Sequence, residues 1–78
     1  MKQDEYDKKF HRLIGTIYRL GTVGSVATGD LAREFNVHVR TIQRDLHLIE
    51  RSGFPLTKTL SGWRFVEGFQ FSLFPKVR

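Results

Sequence analysis

The chain contains no cysteine, and that absence removes two ways of holding a small protein together. Neither a disulfide framework nor a thiolate metal site is open to it, and the composition fits a reducing cytoplasm. Long apolar runs are missing as well: none approaches the roughly 18 residues that span a bilayer. The opening M-K-Q-D-E-Y-D-K-K is too charged for a signal peptide and lacks the apolar core of one. A cytoplasmic protein with no membrane contact is therefore expected. No nucleophile motif of the G-x-S-x-G kind occurs, and no phosphate loop, so an enzyme is not expected. Metal ligands are also scarce, with His11, His38 and His47 the only imidazoles. On a helix that begins near His38, His38 and His47 project to nearly opposite sides, and one zinc ion cannot take both. No metal and no cofactor are expected.

What remains is a small basic chain. Its 78 residues allow one domain, and a chain this short buries only about 60% of its unfolded surface, so its stability should be marginal. The net charge of +5 is unevenly placed. Residues 1–32 carry five basic and four acidic groups, whereas residues 33–64 carry six basic and three acidic. A basic balance favours polyanions. An anionic membrane would need a Lys-rich helix face backed by bulky apolar residues, and no segment offers that. Nucleic acid is the better partner.

The apolar spacing predicts a first helix from about Asp4 to Leu20, with Tyr6, Phe10, Leu13, Ile14, Ile17 and Leu20 on one side. Asp4, Glu5 and Asp7 suit its positive end. Gly21 is expected to stop it, and Ser25-Val26 to form a very short strand edge. A second helix should start near Ala27 or Thr28, with Thr28 as its side-chain cap, and end at Phe35. Asn36 closes it, because Asn tolerates a left-handed conformation. A third helix spans about His38 to Ser52 and ends at Gly53. The period then changes. Phe54 to Thr59 and Trp63 to Val66 read as two strands around Leu60-Ser61-Gly62, a hairpin signal. Pro55 belongs at a strand start or edge.

The third helix carries the strongest functional signal. At about 100° per residue from Ile42, residues Leu46, Ile49 and Val39 lie within about 60° and form the buried stripe. Gln43, His47, Arg40, Arg51 and Arg44 fall between about 100° and 200° on the same wheel. Every residue of that arc is a hydrogen-bond donor and three are arginines, while Asp45 and Glu50 sit on the flanks. An ordinary solvated face mixes charges of both signs. An all-donor arc behind a helix-turn is better suited to a DNA groove.

The string V-R-T-I-Q-R-D-L, with Val26, Leu31-Ala32, Phe35 and Val37 before it and Gly53-Phe54-Pro55-Leu56 and Gly62-Trp63-Arg64-Phe65 after it, resembles the DeoR-type, or type-11, winged helix-turn-helix. That module opens many bacterial regulators, notably those with a C-terminal WYL effector domain. The resemblance runs from about residue 10 to residue 66 and implies an α+β winged helix-turn-helix of three helices followed by a β-hairpin wing. Two departures from the pattern concern caps: His38 stands where the family usually has Ser, and Ala27 where it has Thr. Family members also continue past the position of Arg78 into a sensor domain, so an excised domain and a stand-alone protein both stay open. Residues 1–66 are expected to form the DNA-binding domain. Residues 67–78 would then be an apolar tail, or a linker toward an effector domain or a dimer partner.

The resemblance implies that Arg40 and Arg44 touch DNA, that Thr41 and Arg64 touch phosphates, and that Asp45 orients a neighbouring Arg or caps a loop amide rather than contacting bases. The wheel agrees for Arg40 and Arg44 and adds Gln43 and His47. Arg reads guanine and Gln reads adenine in the major groove. Lys58 and Arg64 flank the turn of a wing that lies along the backbone or minor groove in this architecture. Trp63 is expected to pack on the third helix rather than stack on a base. Phe69, Phe71 and Leu73 share one side of an extended segment and should bury against the first helix or a second copy; a two-fold homodimer suits palindromic operators. The reading from a different class is a winged-helix protein–protein interaction module whose basic face is incidental.

Overall fold

The computed structural model describes residues 3–69. Three helices come first: α1 (Gln3–Thr22), α2 (Thr28–Phe35) and α3 (Val39–Arg51). Two strands follow, β1 (Leu56–Thr59) and β2 (Gly62–Phe65), paired antiparallel with Leu56 opposite Phe65 and Thr59 opposite Gly62. This is the expected α+β winged helix-turn-helix. The wing turn has two residues, Leu60 and Ser61, and Gly62 joins β2 instead of the turn; at their outer ends the strands are shorter than expected, with Phe54 and Pro55 before β1 and Val66 after β2.

Helix α1 runs past Gly21, and the chain leaves it at Val23-Gly24. Gly21 does not stop the helix: its backbone keeps the helical path against the Phe65 ring, which would lie 3.9 Å from an added Cβ. The expected apolar side of α1 holds only in part. Ile17 and Leu20 are buried and Leu13 packs on the core, but Tyr6, Phe10 and Ile14 are 56%, 66% and 37% exposed. Length explains this. At about 1.5 Å per residue α1 is about 30 Å long and α2 about 12 Å, so the first turns of α1 overhang the core. Tyr6, Phe10, Ile14 and Tyr18 form an exposed ridge at four-residue spacing.

The α2–α3 turn follows from Asn36, which takes φ 55° and ψ 51°. Its N–H donates to the Arg33 carbonyl at 3.3 Å, and the Val37 N–H donates back to Ala32 at 3.0 Å. These are the two bonds of a Schellman stop, and they satisfy carbonyls that the helix end would otherwise leave open. At the start of α2 the cap differs from expectation: Ala27 occupies it, extended, with no side-chain bond. The Val26 N–H and carbonyl are held by Trp63, both at 2.8 Å, so the strand-like path reaches as far as Ala27. Thr28 is left in the first turn, where its hydroxyl does not cap. The expected short strand edge is this Val26–Trp63 bridge.

The core gathers Ile17 and Leu20 of α1, Val26, Leu31 and Ala32, then Ile42, Leu46 and Ile49 of α3, and Leu56 and Phe65 of the hairpin. Phe35 reaches α1 at Gly15, where an added Cβ would stand 2.9 Å from the ring; the two helices approach closely there. Beyond β2 the chain turns at Glu67-Gly68, and Phe69 meets Phe65 and Phe54 edge-on, with ring centroids 5.1 and 6.4 Å apart. The apolar cluster therefore extends past residue 66. Phe71 and Leu73, the other two residues of the expected tail surface, lie outside the described residues.

Candidate nucleic-acid interface

Helix α3 is divided into two faces. Ile42, Leu46 and Ile49 are 0%, 1% and 2% exposed, while Arg40, Gln43, Arg44, His47 and Arg51 are all exposed. Thr41 is half-buried in the first turn. Five donors thus share one solvent-facing arc and none is an acid. Val39, assigned by the wheel to the buried stripe, is 41% exposed. It is the first residue of α3 and stands ahead of the buried positions, which begin at Ile42. His38 holds the N-cap place in extended conformation, but its imidazole makes no capping bond. Backbone bonds from Thr41 and Ile42 to the His38 carbonyl start the helix instead.

Asp45 is the largest departure from the sequence reading. On the flank of the donor arc, it is buried and forms a two-pronged ion pair with Arg12 of α1. Arg12 Nη2 donates to Asp45 Oδ1 at 3.1 Å while Nε donates to Oδ2. Asp45 is expected to orient a neighbouring arginine, but its partner lies 33 positions away. Thr16, fully buried, returns its hydroxyl to the Arg12 carbonyl at 2.9 Å. A planar guanidinium held by both oxygens fixes direction as well as distance, so the pair ties this turn of α3 to α1. Arg12 had no visible signal in the sequence. Asp45 had a weak one, since its wheel position borders the apolar stripe where an acid needs a partner.

The wing meets α3 through Trp63. Its ring stands edge-on to the His47 ring with centroids 6.4 Å apart, as expected for an aromatic packing on the third helix. On the wing's other side the backbone of Trp63 bridges Val26. Gly62 makes that closeness possible: it has φ +132°, and a Cβ there would stand 2.3 Å from the Val26 carbonyl oxygen. The turn is tied down by Thr59, whose hydroxyl donates to the Gly62 carbonyl at 2.9 Å, and by a 3.2 Å bond from the Ser25 hydroxyl to Ser61. Lys58 and Arg64 are both exposed on this hairpin. The structure thus brings together Arg40, Gln43, Arg44 and His47 as one surface, with the wing beside it at His47.

Among the described residues no cluster of three His, Asp or Glu side chains gathers to hold a metal. Nor is any helix among them long and apolar enough to cross a membrane. A trihelical unit with a Schellman turn, a donor-lined third helix and a hairpin docked beside it defines a winged helix-turn-helix protein. Residues 16–64 match the family model described as an HTH domain, the type-11 helix-turn-helix. The chain belongs to that family, which points to a DNA-binding regulator. No curated protein and no solved structure shows significant similarity to it.

Proposed function

We propose that this protein binds double-stranded DNA sequence-specifically and acts as a transcriptional regulator of the DeoR type associated with WYL effector domains. Helix α3 enters the major groove, where Arg40, Gln43 and Arg44 meet base edges and His47 adds an auxiliary contact. Thr41 and the wing contact phosphates. The observation that carries this reading is the five-donor arc opposite a fully buried face on the helix that follows the Asn36 turn. In helix-turn-helix proteins the first turns of that helix approach the bases. A good bidentate contact discriminates by roughly 1–3 kcal/mol, about ten- to hundredfold. Selection of binding sites from a random duplex pool tests it, using the parent chain and then Arg44→Ala and Gln43→Ala separately. Each variant is expected to lose preference at defined positions. Unchanged site preferences in both would refute direct readout, even with weaker binding.

A two-fold dimer belongs to the same proposal, because it sets two α3 helices about one DNA turn apart. The exposed apolar ridge of Tyr6, Phe10, Ile14 and Tyr18 on α1 offers it a surface. Sedimentation of the chain with and without Tyr6→Ser and Phe10→Ser reads the assembly directly.

A further inference from the structure

The two wing cations are not equivalent, and strand geometry separates them. Side chains alternate between the faces of a β-ribbon, and directly opposed residues share a face. Leu56 and Phe65 are opposed and buried, so their face is the inward one. One repeat along, Lys58 is opposed to Trp63. This rung lies on the same face, past the edge of the core. Arg64 is opposed to Thr57 on the outward face. The ribbon itself therefore stands between Arg64 and the side on which Trp63 meets His47.

We propose that Lys58 is the wing's phosphate contact, that Arg64 is not, and that Trp63 is the positioning residue that sets Lys58 beside α3. The proposal rests on α3 being the DNA-reading helix. His47 belongs to the exposed arc of α3, and its ring touches the Trp63 edge, so a duplex seated on that arc passes next to the Lys58–Trp63 rung. Lys58 is exposed and carries a flexible four-carbon stem ending in a compact charge, which suits an unspecific phosphate contact. Trp63 is fixed from two sides, by two 2.8 Å backbone bonds to Val26 and by the His47 ring. The position of Lys58 is thus tied to both the entrance of α2 and the middle of α3.

The test uses the intact chain and a fluorescent random-sequence duplex, titrated by anisotropy across a salt series. Lys58→Ala and Arg64→Ala each remove one positive charge, so a general charge effect would weaken both equally. Lys58→Ala is expected to cost roughly tenfold at low salt and to make the logarithmic salt slope shallower by about 0.9, the share of one phosphate. Arg64→Ala should stay within about twofold, with the slope unchanged. In a Trp63→Leu background, confirmed folded by circular dichroism, adding Lys58→Ala should cost much less than it does in the parent. An Arg64→Ala loss equal to or larger than the Lys58→Ala loss overturns the assignment. Additive Trp63 and Lys58 effects overturn the positioning role. A parent chain that binds no duplex at low salt overturns the DNA reading itself, and this assignment with it.

Discussion

Helix α3 and the β1–β2 hairpin both present exposed cations, yet they are anchored very differently. Four side chains of α3 are buried, namely Ile42, Asp45, Leu46 and Ile49, and Asp45 is clamped by Arg12. The hairpin buries only Leu56 and Phe65, and is otherwise held by the Phe54 and Phe69 rings against Phe65, by the Trp63–Val26 bonds and by a few bonds at its turn. Regions with fewer buried contacts open at lower free energy than the core. The element proposed to read bases is therefore rigid with the fold. The element proposed to hold phosphates is a lightly attached arm, and a contact to a uniform backbone tolerates such an attachment.

The comparison breaks most severely at the ion pair. Asp45→Ala leaves the Arg12 guanidinium largely buried without its partner, at an expected cost of about 3 kcal/mol. In a domain this small that corresponds to a drop in melting temperature of roughly 12–24 °C. The double variant Arg12→Met/Asp45→Leu should recover much of the loss, because no uncompensated charge remains. Thermal melts of the three proteins decide the matter. A loss below about 1 kcal/mol for Asp45→Ala would mean that α3 does not depend on this clamp.

Gly62→Ala tests the wing alone. Its Cβ would collide with the Val26 carbonyl, and its backbone conformation strains any side chain, so a cost of about 2 kcal/mol is expected. Hydrogen exchange should show faster amides in β1 and β2, with those of α3 from Ile42 to Ile49 still slow. Equal acceleration in α3 would show that the two elements open as one unit. The smallest effect is expected at the far side of the hairpin. Phe69→Ala removes two edge-on ring contacts and should cost about 1 kcal/mol. An unchanged denaturant midpoint would exclude Phe69 from the stabilising cluster.

Local chemistry was readable along the chain wherever a residue type dictates a backbone state or a face. Asn36 announced the left-handed stop, Phe35 the end of α2, and the donor arc of α3 needed only the helical period. The hairpin was legible from its β-rich runs. Errors came where a partner distant in sequence overrides a local preference. Gly21 reads as a stop, but its backbone stays helical beside the Phe65 ring of the hairpin. Thr28 reads as a cap, but with Val26 paired to Trp63 the chain stays extended through Ala27, which takes the cap position instead. Tyr6 and Phe10 keep the core period in a helix that has outrun its core.

The sequence by itself determined three helices, a tight turn, a hairpin and a basic third helix, because periodicity and turn chemistry act over a few neighbouring residues. Tertiary structure alone decided which charged groups are free to act. Asp45 is taken out of the solvent-facing set by Arg12, 33 residues earlier. Lys58 and Arg64 are sent to opposite faces by the strand register, which pairs Lys58 with Trp63 and Arg64 with Thr57. Pairing and facing depend on where distant segments meet, and no local spacing encodes that.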